Sequence, residues 1–597
     1  MLRSTTLAFT AVLGVYAACA GQDRAPNDGA AQDGAPQGGA AQDGAPQGAA
    51  AAADPAAPGA AQEPLFERRD LVANGEVVRT RCGSADKDYI VEVNGSGIVL
   101  GDFDRSGSVD IVVISGSSIG EVEANQPGDA PRLFLNDGAA NFSAAPEAWN
   151  MAPGRWGMGG TAGDADGDGD LDLVVTQWGP TRLFINQDGR GFVEKTDAGF
   201  SGSRWGTSAA FLDYDNDGHL DLVVVNYLAF RRDEIESRTS GACKWKGLPV
   251  MCGPEGLTAV HDQLFRGRGD GTFEDVTAAA GFRPEAAAFG LGVTTIDYDL
   301  DGDTDVYVTN DSTPNHLWEN QGDGTFVEVG FRRGVDLDAN GKEQAGMGIA
   351  VADVDDDGLQ DLFVTNFSGE ANAFYQSRAS KSGGAPRFSD RSHAVGLGGP
   401  SLQMLGWGTG AMDADLDGDI DLYVMNGHVY PQADAPGTDT RYAQPDQLYV
   451  NESGRFVVRP LARGPDLVSR SAAHADLDGD GDLDIVGTQV DGAVQVFVNR
   501  TAPGRWIAFD VEAVGGNRDG IGAIVEIVAG GRKRRAEIRT SGGFQAGLPP
   551  TVHFGLGALE NVDLVRVALP DRRIVEFESP PIGRLTTIAV PAQEEQR

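Results

Sequence analysis

Seven times along its 597 residues the chain reads D-x-D-x-[D/S]-G-x-x-D, starting at Asp102, Asp164, Asp213, Asp297, Asp353, Asp413 and Asp476. One copy is compatible with chance; seven make a repeat. Carboxylates crowded at alternate positions repel one another, so a compact loop must either protonate them or bind a cation. Oxygen donors at positions 1, 3, 5 and 9, with a backbone carbonyl near position 7, suit a hard cation of adaptable geometry, and Gly at position 6 permits the sharp turn. Calcium is the expected ion, at about seven sites.

The predicted ligands, loop by loop, are Asp102, Asp104, Ser106 and Asp110; Asp164, Asp166, Asp168 and Asp172; Asp213, Asp215, Asp217 and Asp221; Asp297, Asp299, Asp301 and Asp305; Asp353, Asp355, Asp357 and Asp361; Asp413, Asp415, Asp417 and Asp421; and Asp476, Asp478, Asp480 and Asp484. Ser106 should make the first loop the weaker binder. An EF-hand would need a bidentate Glu at position 12 and flanking helices. Position 12 instead holds Val113, Val175, Val224, Val308, Val364, Val424 or Gly487, inside short β-branched runs that read as strands. The loops therefore sit at turns between strands and are expected to be structural staples.

Five residues before each first Asp lies Gly97, Gly159, Ser208, Gly292, Gly348, Gly408 or Ser471, and seven before lies Gly95, Gly157, Gly206, Gly290, Gly346, Gly406 or Ser469. A period of two places these small residues on one strand face, which something must approach closely. Downstream, "LFLN" (133–136), "LFIN" (183–186), "LFRG" (264–267), "LWEN" (317–320), "AFYQ" (373–376), "LYVN" (448–451) and "VFVN" (496–499) supply a third strand. Phe142, Phe192, Phe273, Phe326, Phe388 and Phe456 mark a fourth. The seventh unit lacks its fourth strand, and "PLFERRD" (64–70) around Phe66 can supply it. The predicted fold is all-β: a seven-bladed β-propeller over residues 64–500, closed by its own ends, plus a small C-terminal β domain over 501–597.

With 83 glycines and 23% charged residues the composition suits many short strands joined by turns. The formal charge is -41, and seven divalent ions would offset only about a third of it, which disfavours nucleic acid and anionic membrane surfaces as partners. Arg3, the apolar run Leu7 to Ala18 and the small residues around Cys19 read as an export signal over residues 1–18, too short to span a bilayer. "YAAC" (16–19) is similar to a lipoprotein signal, which would acylate Cys19; cutting after Ala18 or Ala20 for ordinary secretion stays open. Residues 19–63 are a tether of Ala, Gly, Pro, Gln and Asp, with a reach on the order of 35 Å.

The chain resembles the FG-GAP or VCBS repeat proteins with integrin-α-like propellers, and more closely the bacterial relatives of cartilage acidic protein that end in an ASPIC/UnbV domain. The residues that carry the resemblance are "CKWKGLPVMCGPEGL" (243–257), "NGHVYPQ" (426–432), and "NRDGIGAIVEIVAGG" (517–531) followed by "VHFGLG" (552–557). It implies calcium-dependent interaction at a surface or in a matrix, and no established reaction.

Cys243 and Cys252 bracket a short Gly/Pro loop inside the longest interval between aspartate loops, where a disulfide would pin an insertion. Cys82 has no assigned role. Arg532, Lys533, Arg534 and Arg535 read as a solvated hairpin end, with docking on an acidic partner as the alternative and the acidic propeller as one such surface. His428 with Tyr430 reads as a structural turn, and no catalytic residue is assigned. The expected function is a lipid-anchored, calcium-binding cell-surface module for a protein or glycan partner, monomeric, with outer-membrane or cell-surface location. Periplasmic or secreted location is the alternative, and a polysaccharide lyase or hydrolase is the alternative function.

Overall fold

The computed structural model describes residues 64–592 apart from 201, 203, 233, 382, 502 and 503. The export signal, the tether and Cys19 lie outside the described residues. Among those described, no helix is long and apolar enough to cross a membrane.

Each repeat folds into a four-stranded antiparallel sheet. In the fourth unit the strands run Gly290–Ile296, Asp305–Asn310, His316–Asn320 and Phe326–Glu328, paired in that order. The first strand of each unit is buried along most or all of its length, except in the fifth, where only the first half of Ile349–Ala352 is buried, and the outermost strands bury their Phe and leave the rest partly or fully exposed. The strands thus follow a radial gradient from a packed axis to a solvated rim. Seven such units are present among the described residues. Their innermost strands touch in succession, and the seventh, Ser469–Ala475, touches the first, Gly97–Gly101. This closed ring of sheets is a β-propeller.

The ring is sealed by chain ends. Phe66–Asp70 forms the outermost strand of the seventh unit, in register from Phe66 opposite Asn499 to Asp70 opposite Gln495. Pairing Phe66–Asp70 this way covers an edge that would otherwise template aggregation.

The recurrent small residues are needed because neighbouring inner strands nearly touch. A Cβ at Gly159 would lie 2.6 Å from the Thr207 carbonyl oxygen, and one at Gly348 only 2.0 Å from that of Trp407. The axis is also filled by a segment from beyond the propeller. Residues 541–547 run through it: Ser541 Oγ donates to the Val293 carbonyl, Ser471 Oγ donates to that of Gln545, and Ala546–Gly547 pairs with Ile98–Val99. Phe544, fully buried, packs on Trp407 at 5.0 Å.

This plug belongs to a small β-sandwich. Its three-stranded sheet holds Val552–Gly555, Trp506–Ala513 and Leu585–Val590; its four-stranded sheet holds Arg532–Glu537, Ile524–Ala529, Leu564–Ala568 and Ile574–Glu578. Between them lies a core that includes Ile507, Phe509, Val525, Ile527, Val565 and Val567.

Candidate metal centres

Each aspartate loop joins the first and second strands of its unit, so all seven emerge from one end of the ring. The Gly at position 6 has φ between 85° and 101° in every loop, a left-handed conformation that a side chain would strain. Position 4 is left-handed as well, including Leu300 and Leu416, although no glycine marks it there.

The carboxylates are held in a fixed pattern. The position-1 Asp accepts the N–H of the position-6 Gly, as Asp164 Oδ2 does from Gly169 at 3.0 Å and Asp297 Oδ2 from Gly302 at 3.1 Å. The position-9 Asp accepts twice. Asp172 Oδ2 takes the Ala165 N–H at 2.9 Å and Oδ1 the Asn186 N–H at 2.8 Å, and Asp110, Asp221, Asp305, Asp361, Asp421 and Asp484 repeat this. In the first four loops the carboxylates at positions 1, 3 and 9 come within 4.8 Å of one another; in the fifth the trio is Asp353, Asp355 and Asp357. Two further such groups occur among the described residues. Outside the fifth trio, the position-5 group of the early loops braces its own turn: Asp168 and Asp301 each accept the position-7 N–H, and Ser106 Oγ accepts that of Ser108.

Burial makes this charge costly. It pushes Asp172 up to about 9, Asp361 and Asp421 up to about 8, and Asp110 up to about 7, while Asp221 and Asp305 rise well above the carboxylate range. Asp166, Asp213, Asp215, Asp413, Asp415 and Asp478 each present a buried Oδ1 with no hydrogen-bond partner. These orphaned oxygens at positions 1 and 3, beside the position-9 carboxylate, make an all-oxygen donor set that can hold a hard divalent cation. Arginines supply some loops with counter-charge: Arg266 pairs with Asp215 and Asp217, Arg378 with Asp355 and Asp357, and Arg500 approaches Asp478 at 3.8 Å.

A further repeated residue clasps the units together. The Asn ending "LFLN", "LFIN", "LWEN" and "VFVN" donates from Nδ2 to the position-2 carbonyl of the preceding unit. Asn136 reaches Leu477, Asn186 reaches Phe103, Asn320 reaches Tyr214 and Asn499 reaches Ala414, at 2.9 Å each. Its signal was the recurrence of Asn itself at the end of the third strand.

The C-terminal sandwich sits on the loops. The position-6 glycines of the second to seventh loops face Arg518, Gly516, Arg572, Arg535, Arg534 and Trp506 respectively. Arg535 Nη1 donates to the Gly358 carbonyl at 3.2 Å, Arg572 Nη1 to that of Asp301 at 3.2 Å, and His553 Nε2 to that of Gly481 at 2.9 Å. The basic cluster is therefore a solvated hairpin end only in its first half. Arg534 has 13% of its side chain exposed because it lies on acidic loops, whereas Arg532 and Lys533 stay largely in solvent. Glu537 is buried beside the fourth loop, where its Oε2 accepts the Asp297 N–H.

Cys243 and Cys252 form a disulfide, and Cys82 is a buried free thiol whose pKa burial pushes up to about 11. His219 supplies the position-7 backbone, its N–H bonded to Asp217. His474 contacts the Tyr423 hydroxyl.

The family described as FG-GAP-like repeat matches residues 102–175, 164–224, 256–308 and 297–364, and the family described as ASPIC and UnbV matches residues 513–595. Among curated relatives, cartilage acidic protein 1 of Mus musculus is 27% identical over 337 residues, covering 54% of this chain and 48% of the relative. The Xenopus tropicalis protein of that name is 25% identical over 376 residues, covering 57% and 54%. The chain spans about half the length of the curated relatives it matches. Among solved structures, an Agrocybe aegerita lectin aligns at 16% identity with a TM-score of 0.37, covering 67% of this chain and 86% of its own. The rhamnogalacturonan lyase YesX aligns at 13% identity and 0.30, covering 86% and 92%. Likeness at that level does not reach function. The chain thus carries FG-GAP-like repeats and, after them, an ASPIC and UnbV domain, and is similar to cartilage acidic protein 1 over about half its length.

Proposed function

We propose that this protein is an exported, lipid-anchored, calcium-binding propeller that acts as a binding or adhesion module at the cell surface. The orphaned buried carboxylate oxygens of the loops carry the calcium assignment, since burying ionised groups without a counter-charge costs several kcal/mol per ion. The side chains at positions 1, 3, 5 and 9 are the ligands, with Ser106 at position 5 weakening the first site and Arg266 and Arg378 competing at the third and fifth. Calcium supplies the positive charge that lets the first two strands of each unit meet at their turn. The chain's own residues do the rest: glycines shape the turns, Asn136 and its counterparts clasp adjacent units, and the C-terminal sandwich covers one end of the ring. Partner binding then falls to the other end, where the two long insertions emerge. Export and anchoring rest on the segment from Arg3 to Cys19.

Equilibrium dialysis of the purified chain should give about seven calcium ions per molecule. A pull-down from cell-surface extracts should recover a partner in calcium and lose it in chelator, and Cys19→Ser should abolish lipid labelling. Absence of calcium binding, or a partner retained at full level in chelator, would overturn the reading.

A further inference from the structure

The two insertions that interrupt the repeat converge. Residues 227–262 join the second and third strands of the third unit, and residues 427–446 join those of the sixth. In antiparallel sheets such connections leave the end opposite the metal loops. Within the first insertion, Cys243–Trp245 pairs with Leu248–Val250 across Lys246 and Gly247, both left-handed, and the Cys243–Cys252 disulfide closes the hairpin. The Lys246 ammonium pairs with Asp439 of the second insertion. Trp245 is thereby laid over His428 at 4.8 Å and Tyr430 at 5.7 Å, and Phe367 approaches His428 at 5.7 Å. Trp245, Tyr430 and Phe367 each keep part of their surface in solvent, while His428 is fully buried.

The polar groups of this basin are unspent. His428 Nδ1 accepts the Tyr430 N–H at 3.1 Å, so the proton of the neutral imidazole is on Nε2, where it has no partner. Among the described residues the Trp245 indole N–H and the Tyr430 hydroxyl also make no hydrogen bond.

This inventory selects a ligand class. A cationic ligand is disfavoured: the Lys246 ammonium already lies 4.8 Å over the Trp245 ring, and a cation cannot satisfy the N–H donors. A purely apolar occupant would leave a buried N–H unpaired, at a cost of about 1–3 kcal/mol. A pyranose stacks its C–H face on aromatic rings, and its hydroxyls both accept from N–H groups and exchange hydrogen bonds with a phenol hydroxyl. We propose that Trp245, Tyr430, Phe367 and His428 form a binding site for a neutral hexopyranose residue of a surface glycan. This rests on the reading of the protein as a binding module and names the partner class for that module.

The test is the full chain, calcium-loaded, on an array of neutral oligosaccharides ending in glucose, galactose, mannose or N-acetylglucosamine. Binding to at least one array member is expected, competed by the matching methyl pyranoside. Trp245→Ala and Tyr430→Ala should each cut it at least ten-fold at unchanged calcium content. Trp245→Phe, which keeps a ring and removes the N–H, should give an intermediate loss. Phe331→Ala removes a ring that is 75% exposed elsewhere on the surface and should change nothing. A blank array, or binding indifferent to Trp245 and Tyr430, overturns the site. If a surface protein is still captured in calcium by both the wild type and Trp245→Ala, the module stands without the glycan site; if that capture also fails, both readings fall.

Discussion

Replacing Asp172 by Asn should change the stability of this protein in opposite directions depending on whether calcium is present. Without a cation, burial pushes Asp172 up to about 9, so at pH 7 the folded chain keeps it protonated while the unfolded chain ionises it. Retaining that proton costs about 4 kcal/mol of folding free energy. Asn has the size of the protonated group and no charge to desolvate, so in chelator the variant recovers up to about 4 kcal/mol. Against this stands about 1–3 kcal/mol, because the Ala165 and Asn186 N–H groups both donate to this side chain and one would then face an amide NH2. In calcium the sign reverses. With free ion about 1,000-fold above its Kd, the wild type gains about 4.1 kcal/mol at this loop, and the variant forgoes it. Urea midpoints at pH 7 in calcium and in chelator, with calcium stoichiometry by dialysis, measure the crossing and the loss of one ion. The same sign in both media, or an unchanged stoichiometry, would refute the idea that cation charge is what permits these buried carboxylates.

The same carboxylates fix the pH dependence. Asp110, Asp172, Asp361 and Asp421 have folded pKa values raised to between about 7 and about 9, so above pH 4 the folded state holds more protons than the unfolded one. Chelated protein should therefore lose stability as pH rises from about 5 to 8, whereas calcium-loaded protein should not; thermal unfolding in the two media checks this. Asn186→Ala should cost about 1–3 kcal/mol in denaturant unfolding, because the Phe103 and Leu171 carbonyls lose their donor. Ser377→Ala, at the matching place in the fifth unit, removes a hydroxyl that makes no hydrogen bond and should be close to neutral. Deleting residues 64–70 should expose the edge of the seventh unit and produce oligomers on size-exclusion chromatography at concentrations where the intact chain gives a single species.

The fold was legible because its determinants are local and repeated. Aspartates at alternate positions, a glycine at position 6 and a β-branched run state the turn and the strand within twelve residues, and the missing fourth strand of the last unit pointed to Phe66. The recurring Asn of the third strand was equally visible, but its meaning was not, since its acceptor lies in the preceding unit. The plug was illegible for another reason: "SGGFQAG" (541–547) has the composition of any surface loop, and only the ring defines the hole it fills. Arg534 and Arg535 look like ordinary solvated charges until the fifth and sixth acidic turns are placed beneath them. Trp245 and His428 lie far apart in sequence, so no spacing rule could have joined the two insertions.

Closing the ring with Phe66–Asp70 has a consequence for how the molecule is born. The partner strand, Gln495–Asn499, is made more than four hundred residues later, so this strand must wait, unpaired and apolar at Phe66, until nearly the whole ring has been delivered. Circularisation is then a late, long-range step that follows local sheet formation, with two complementary edges open in the meantime. A helper that shields the leading segment during delivery, or slow maturation limited by that last pairing, is what such a topology demands.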